Sequence, residues 1–128
     1  MPSLFRLALD IGLEFDSGYV GSEHVFIALA RVPGEAARFF TDMAFVQAEG
    51  TALIERLNRT KPVEYIPDNV HTNAGFNRLL GLAQGIAWRS GRSEPEDIDI
   101  LAAFFGDSMI RPILERSGAS LDAVEASL

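Results

Sequence analysis

Few residues of this chain have the types and spacing to do chemistry, and most of them crowd two stretches that read as helix starts. The first is Gly21-Ser22-Glu23-His24, ahead of an unbroken apolar run from Val25 to Ala30. Ser22 can accept a hydrogen bond from the free amides of a helix start, and Gly21 eases the turn before it, so Ser22 is the expected N-cap. Glu23 offers a carboxylate able to make a charge-assisted contact with a cationic ligand. It equally suits a scaffold role, in which Glu23 complements the helix dipole while His24 packs and hydrogen-bonds the preceding loop. The second stretch holds Glu94, Glu96, Asp97 and Asp99, with Asp97 as the expected cap. It lacks the Asp-x-Asp-x-Asp-Gly order and distal Glu of a calcium loop, and Pro95 stiffens it. It therefore reads as a solvated acidic face, open to basic peptides, and not as a metal site. Trp88 and Arg89, with Arg78 and Arg92, make a small aromatic and basic group; Trp88 is expected to cover a junction and the arginines to be solvated.

Catalytic constellations are missing. His24 and His71 are the only histidines, no Ser-His-acid or His-x-x-x-His spacing exists, and no G-x-x-x-x-G-K-[ST] phosphate loop occurs. No enzyme, cofactor or metal is expected. With no cysteine, disulfides and thiol catalysis are excluded, which fits a reducing compartment. A net charge of −7 works against nucleic acid and anionic membranes, because both would repel the chain's mean field. The longest apolar run is too short to span a bilayer, and the start MPSLFRLALD lacks a secretory signal's basic region and cleavage site. A soluble, cytoplasmic protein is the expectation.

The elements that must position these residues are all helical by pattern. At 128 residues and 48% hydrophobic, the chain is one domain with a real core. Leu4, Leu7, Ala8, Ile11 and Phe15 recur at three- and four-residue spacing and predict a first helix, capped by Ser3 and closed near Gly18. The Val25–Ala30 run, apolar on every face, predicts a second helix enclosed by neighbours. After Pro33-Gly34, a third helix carries Ala36, Ala37, Phe40, Met43 and Ala44, and a fourth runs from about Gln47 to Arg59, weakened by Gly50. Thr60 to His71, with two prolines, reads as an extended connector. Thr72 or Asn73 caps a fifth helix with the stripe Phe76, Leu79, Leu80, Ala83 and Ala87. Ile98–Phe105 is a second all-apolar helix. Met109, Ile110, Ile113 and Leu114 make a seventh helix, with Pro112 tolerable only in its first turn. Ser120 caps an eighth, with Leu121, Val124 and Leu128 inward. No segment reads as strand. Phe39-Phe40 and Phe104-Phe105 are adjacent pairs that cannot both face inward on one helix, so one of each is expected on a surface.

Two sets of four helices suggest duplication, and sliding the chain by 75 residues tests it. Leu4 falls on Leu79, Leu7 on Leu82, Ala8 on Ala83, Ile11 on Ile86, Ser22 on Asp97 and Leu53 on Leu128. The expected organisation is repeat one at 3–59, connector 60–71 and repeat two at 72–128. Each repeat carries one all-apolar helix that it cannot cover alone, so the two pack about a pseudo-twofold axis and leave a groove between them.

The stretch Gly21-Ser22-Glu23-His24 with its aliphatic run resembles the Gly-Thr-Glu-His signature of the Clp N-terminal domain, the double-repeat module in front of Hsp100 unfoldases. The resemblance covers nearly the whole chain. It implies an all-α fold of two four-helix repeats and a free-standing module without ATPase parts. It further implies a protein- or peptide-binding role as adaptor, decoy or regulator of a Clp unfoldase and its protease. In that family the Glu is a candidate for the guanidinium of arginine-phosphorylated substrates, beside a Thr at the start of each repeat's first helix. Here repeat one has Glu23 without the Thr, and repeat two has Thr72 with Ile98-Asp99 in place of the Glu-His pair. The expected binding residues are Ser22, Glu23, Thr72, Trp88, Arg89, Glu96 and Asp99. The resemblance also leaves open a different role, sequestering cyclic peptide antibiotics that target Clp N domains. A third is an oligomer paired through exposed phenylalanines.

Overall fold

The structure, a computed structural model, describes residues 3–60 and 71–128. Seven α-helices and one 3-10 helix are present among them, in the order α1 (Ser3–Glu14), α2 (Ser22–Arg31), the 3-10 helix Gly34–Phe39, α3 (Met43–Thr60), α4 (Ala74–Arg89), α5 (Asp97–Phe104), α6 (Arg111–Arg116) and α7 (Leu121–Glu125). The offset of 75 survives in the backbone. Helix α1 ends at Glu14 and α4 at Arg89, while α2 begins at Ser22 and α5 at Asp97. The fold is therefore all-α, with eight helices in two related sets of four.

Enclosure of α2 and α5 explains the rest. Every residue from Ser22 to Ala30 is buried, as is every residue from Ile98 to Phe104. Each lies against the first helix of its own set, α1 on α2 and α4 on α5, and the two also meet each other. Across the meeting, the Phe26 and Phe104 rings sit edge to face at 5.3 Å, and Phe5 on α1 meets Phe76 on α4 in the same way at 5.5 Å. Such pairs add about 0.5–1.5 kcal/mol beyond the area they bury. Gly50 lets α3 close on α2: a Cβ there would come 2.6 Å from Ile27 Cδ1.

Several boundaries differ from expectation. Strands do exist, if barely: Tyr19–Val20 (β1) pairs in parallel with His71–Thr72 (β2), Tyr19 opposite His71. This pairing stitches the loop before α2 to the start of α4, a long-range contact without a periodic signature. The expected third helix divides. Gly34–Phe39 winds as a 3-10 helix, and Met43 and Ala44 instead open α3, whose start is held by Asp42 accepting from the Phe45 amide at 3.0 Å. Phe104 and Phe105 are both buried, because α5 has neighbours all round; Phe39 and Phe40 are both half-buried. Pro112 does fall in the first turn of α6, and the positive φ of Gly118 (90°) follows that helix. The connector at 61–70 lies outside the described residues.

Candidate binding site

At each enclosed helix start the cap lies one residue earlier than the sequence suggests. Gly21 is the N-cap of α2 and Glu96 that of α5, again 75 apart, so Ser22 and Asp97 are the first helical residues. The physical reason lies in the third helical position. His24 Nδ1 accepts from the Gly21 amide at 2.9 Å, and Asp99 Oδ2 accepts from the Glu96 amide at 2.8 Å. A side chain reaching back to the N-cap N–H satisfies the start from within the helix, so no hydroxyl is needed at the cap. The repeats thus share one device built from different residues.

Around α2 this device is buried and polar. Since Nδ1 accepts, the His24 proton sits on Nε2 and is donated to Ser17 Oγ at 2.8 Å; Ser17 and His24 are both fully buried. Burial depresses the His24 pKa to about 4, leaving the ring neutral near pH 7. The Glu23 carboxylate, 3.5 Å from that ring, is therefore not its ion-pair partner there. Glu23 is only 2% exposed and lies against the Tyr19 phenol, whose pKa is raised by burial and by the Glu23 charge. Ser22 donates to Asp107 Oδ2 at 2.7 Å, linking the two repeats, and Asp107 Oδ1 accepts from the Met109 and Ile110 amides ahead of α6.

In repeat two, fully buried Asp99 takes a forked contact from Arg92, whose Nε lies 3.1 Å from Oδ2 and whose Nη2 reaches Oδ1. Asp99 is thus not part of a solvated acidic face, and Arg92 is not a solvated cation. Asp97, half-buried, has its carboxyl pKa raised by burial and by Glu96 and Glu35 beside it.

The seven expected residues therefore do not share one surface. Ser22, Glu23 and Asp99 are interior, while Thr72, Arg89 and Glu96 are exposed. Trp88 is 67% exposed and does not cover a junction. Asn73, rather than Thr72, caps α4, accepting from Phe76 N at 2.9 Å; Thr72 sits in β2 and donates to Asn77 Oδ1. Arg89 borders a recess of about 310 Å³ with Leu121 and Leu128, and Glu96 one of about 280 Å³ with Glu35 and Asp97.

A larger groove, about 460 Å³, opens between α3 of the first set and α6 of the second. Leu53, Met109 and Ile113 line it together with Arg56, Arg59 and Arg116. Sequence reasoning placed a groove between the repeats but not these walls. The signal was available in one face of α3, Glu49, Ala52, Arg56 and Arg59, and in the spacing of Met109, Pro112 and Arg116 at the start of and along α6. Among the described residues there is no group of acidic and histidine side chains that would hold a metal, and no helix long and apolar enough to cross a membrane.

Two helical quartets around paired, enclosed central helices, with a groove at the seam between α3 and α6, define a repeat-built all-α module. The family model of the Clp repeat (R) N-terminal domain matches residues 2–108, and the chain belongs to that family. Among solved structures, it resembles a chain from a study of a malarial protein secretion system at a TM-score of 0.83 and 15% identity, over 98% of this chain and 86% of that one. It also resembles the Hsp104 N-terminal domain from Candida albicans, at a TM-score of 0.69 and 17% identity, over 96% and 82%. No curated protein sequence matches.

Proposed function

We propose that this chain is a protein- or peptide-binding module that serves a Clp-type unfoldase and its protease as adaptor, decoy or regulator. Family membership supports a Clp-related binding role. The observation that carries the reading is the open α3–α6 groove, a ligand-sized recess with an apolar floor where the two repeats meet. Binding there needs no covalent chemistry: apolar side chains of a partner pack on exposed Met109 above the buried Leu53 and Ile113, while the polar rim fixes orientation.

The helix starts contribute differently. Ser22, Glu23 and Asp99 are interior and reach a partner only indirectly, through the packing and hydrogen bonds around the helix starts, whereas Thr72, Trp88, Arg89 and Glu96 are accessible for direct contact. Phospho-arginine binding at Glu23 would require the carboxylate to leave the Tyr19 phenol and its 2%-exposed site.

Affinity purification of the native protein followed by mass spectrometry tests the reading. An Hsp100 unfoldase, its protease, or an adaptor or substrate of theirs should be enriched over a charge-reversed groove variant. Recovery of none of these would overturn it.

A further inference from the structure

We infer that the α3–α6 groove is a docking site for an acidic peptide segment of a partner protein, one that also presents aliphatic or aromatic side chains. This rests on the binding-module reading and names its partner class. The chain as a whole is acidic, at −7, yet three of its eleven basic residues, Arg56, Arg59 and Arg116, line this one recess against a single carboxylate, Glu49. That carboxylate is neutralised locally: Arg116 lies 3.5 Å from it while covering the Phe45 ring.

Arg56 and Arg59 are exposed and, like Arg6, Arg38, Arg78 and Arg89, have no ion-pair partner among the described residues; they differ from those four in lining this groove together. They stand three residues apart on α3, above the buried side chains of Leu53 and Ile113. Two guanidinium forks over an apolar floor match carboxylates that flank a hydrophobic side chain. A basic segment, although drawn by the chain's overall negative field, would be repelled at this rim, where the arginines set the local sign. A neutral one would leave the rim unused.

The test uses the full chain and three fluorescent peptides built on one Leu-Phe centre, flanked by Asp and Glu, by Lys and Arg, or by Ser and Gln. Anisotropy should show saturable binding of the acidic peptide, weakened by added salt. The R56E/R59E double variant should lower that affinity ~10-fold or more, and R56K/R59K, which keeps both charges but loses the forks, should lower it by less, because the contacts turn from attraction to repulsion only in the first. Arg6→Glu, an exposed charge reversal on α1, should leave it unchanged. Equal binding of the neutral or basic peptide, or acidic binding indifferent to R56E/R59E, overturns this inference but leaves the binding module standing. Displacement of the peptide by a single-stranded oligonucleotide, or self-association abolished by R56E/R59E in light scattering, would reassign the groove. If no peptide binds and no Clp component is captured from cells, both readings fall.

Discussion

Acidification should destabilise this protein in part through a single buried residue, His24. Its ring is fully buried, with Nδ1 accepting from the Gly21 amide and Nε2 donating to Ser17, an arrangement only the neutral form can make. In the folded chain its pKa lies at about 4, against 6.5 for an ordinary histidine. Between those values the unfolded chain binds a proton that the folded chain refuses, so stability is intact above about pH 6.5 and drains away toward pH 4. At 1.36 kcal/mol per unit, the difference amounts to about 3 kcal/mol, a large share of a typical domain's stability and on the order of 10 °C in Tm. Acid also acts on a folded chain through its carboxylates, so the isolating comparison is His24→Asn. Asparagine can accept from the Gly21 amide as Asp99 accepts from Glu96, but it does not titrate. Losing the ring's contact with Tyr19 and the Ser17 bond costs about 1–3 kcal/mol at every pH, so the readout is the slope. Urea unfolding from pH 7.5 to 4 should show the wild type losing about 3 kcal/mol more than the variant. Equal losses, or a His24 imidazole resonance, assigned by its absence from the variant, titrating near pH 6.5, would refute the buried, neutral cap.

Three further outcomes follow from the geometry. Asp99→Ala leaves the Glu96 amide unmet and Arg92 without its partner; because the Arg92 side chain is a quarter exposed and can rehydrate, the expected loss is about 2–3 kcal/mol in chemical unfolding. A loss under about 0.5 kcal/mol would return Asp99 to the surface. Gly50→Ala should destabilise by about 1 kcal/mol, because crowding against Ile27 outweighs the gain in helix propensity; a raised Tm would mean α3 does not approach α2 so closely. Ser22→Ala should lower stability by about 1 kcal/mol through loss of the contact with Asp107 that joins the repeats, whereas an unchanged midpoint would show that contact to be idle.

Much of this architecture was legible in the sequence. Both enclosed helices announced themselves by runs apolar on every face, and the offset of 75 that aligned Ser22 with Asp97 also aligns the true caps, Gly21 and Glu96. What escaped was set by contacts across the chain. The pairing of Tyr19–Val20 with His71–Thr72 is too short for a period of two to register. Glu23 and Asp99 carry the same charge as a solvent-facing acid, and only the position of Tyr19 and Arg92 in space turns them inward. Trp88 looked like a junction residue because tryptophan is so often covered, yet α4 turns it outward. A groove between the repeats was expected, but its walls escaped because α3 and α6 come from opposite repeats.

Chemical-shift mapping of the labelled protein against a captured Clp component addresses most directly the claim that recognition runs through the seam while the helix starts hold the scaffold. Perturbations should cluster on α3, on α6 and on the turn ahead of it, around Leu53, Arg56, Met109 and Ile113, with the amides of Gly21 to His24 and Glu96 to Asp99 little changed. Shifts centred on those two helix starts, with α3 and α6 silent, would contradict the account.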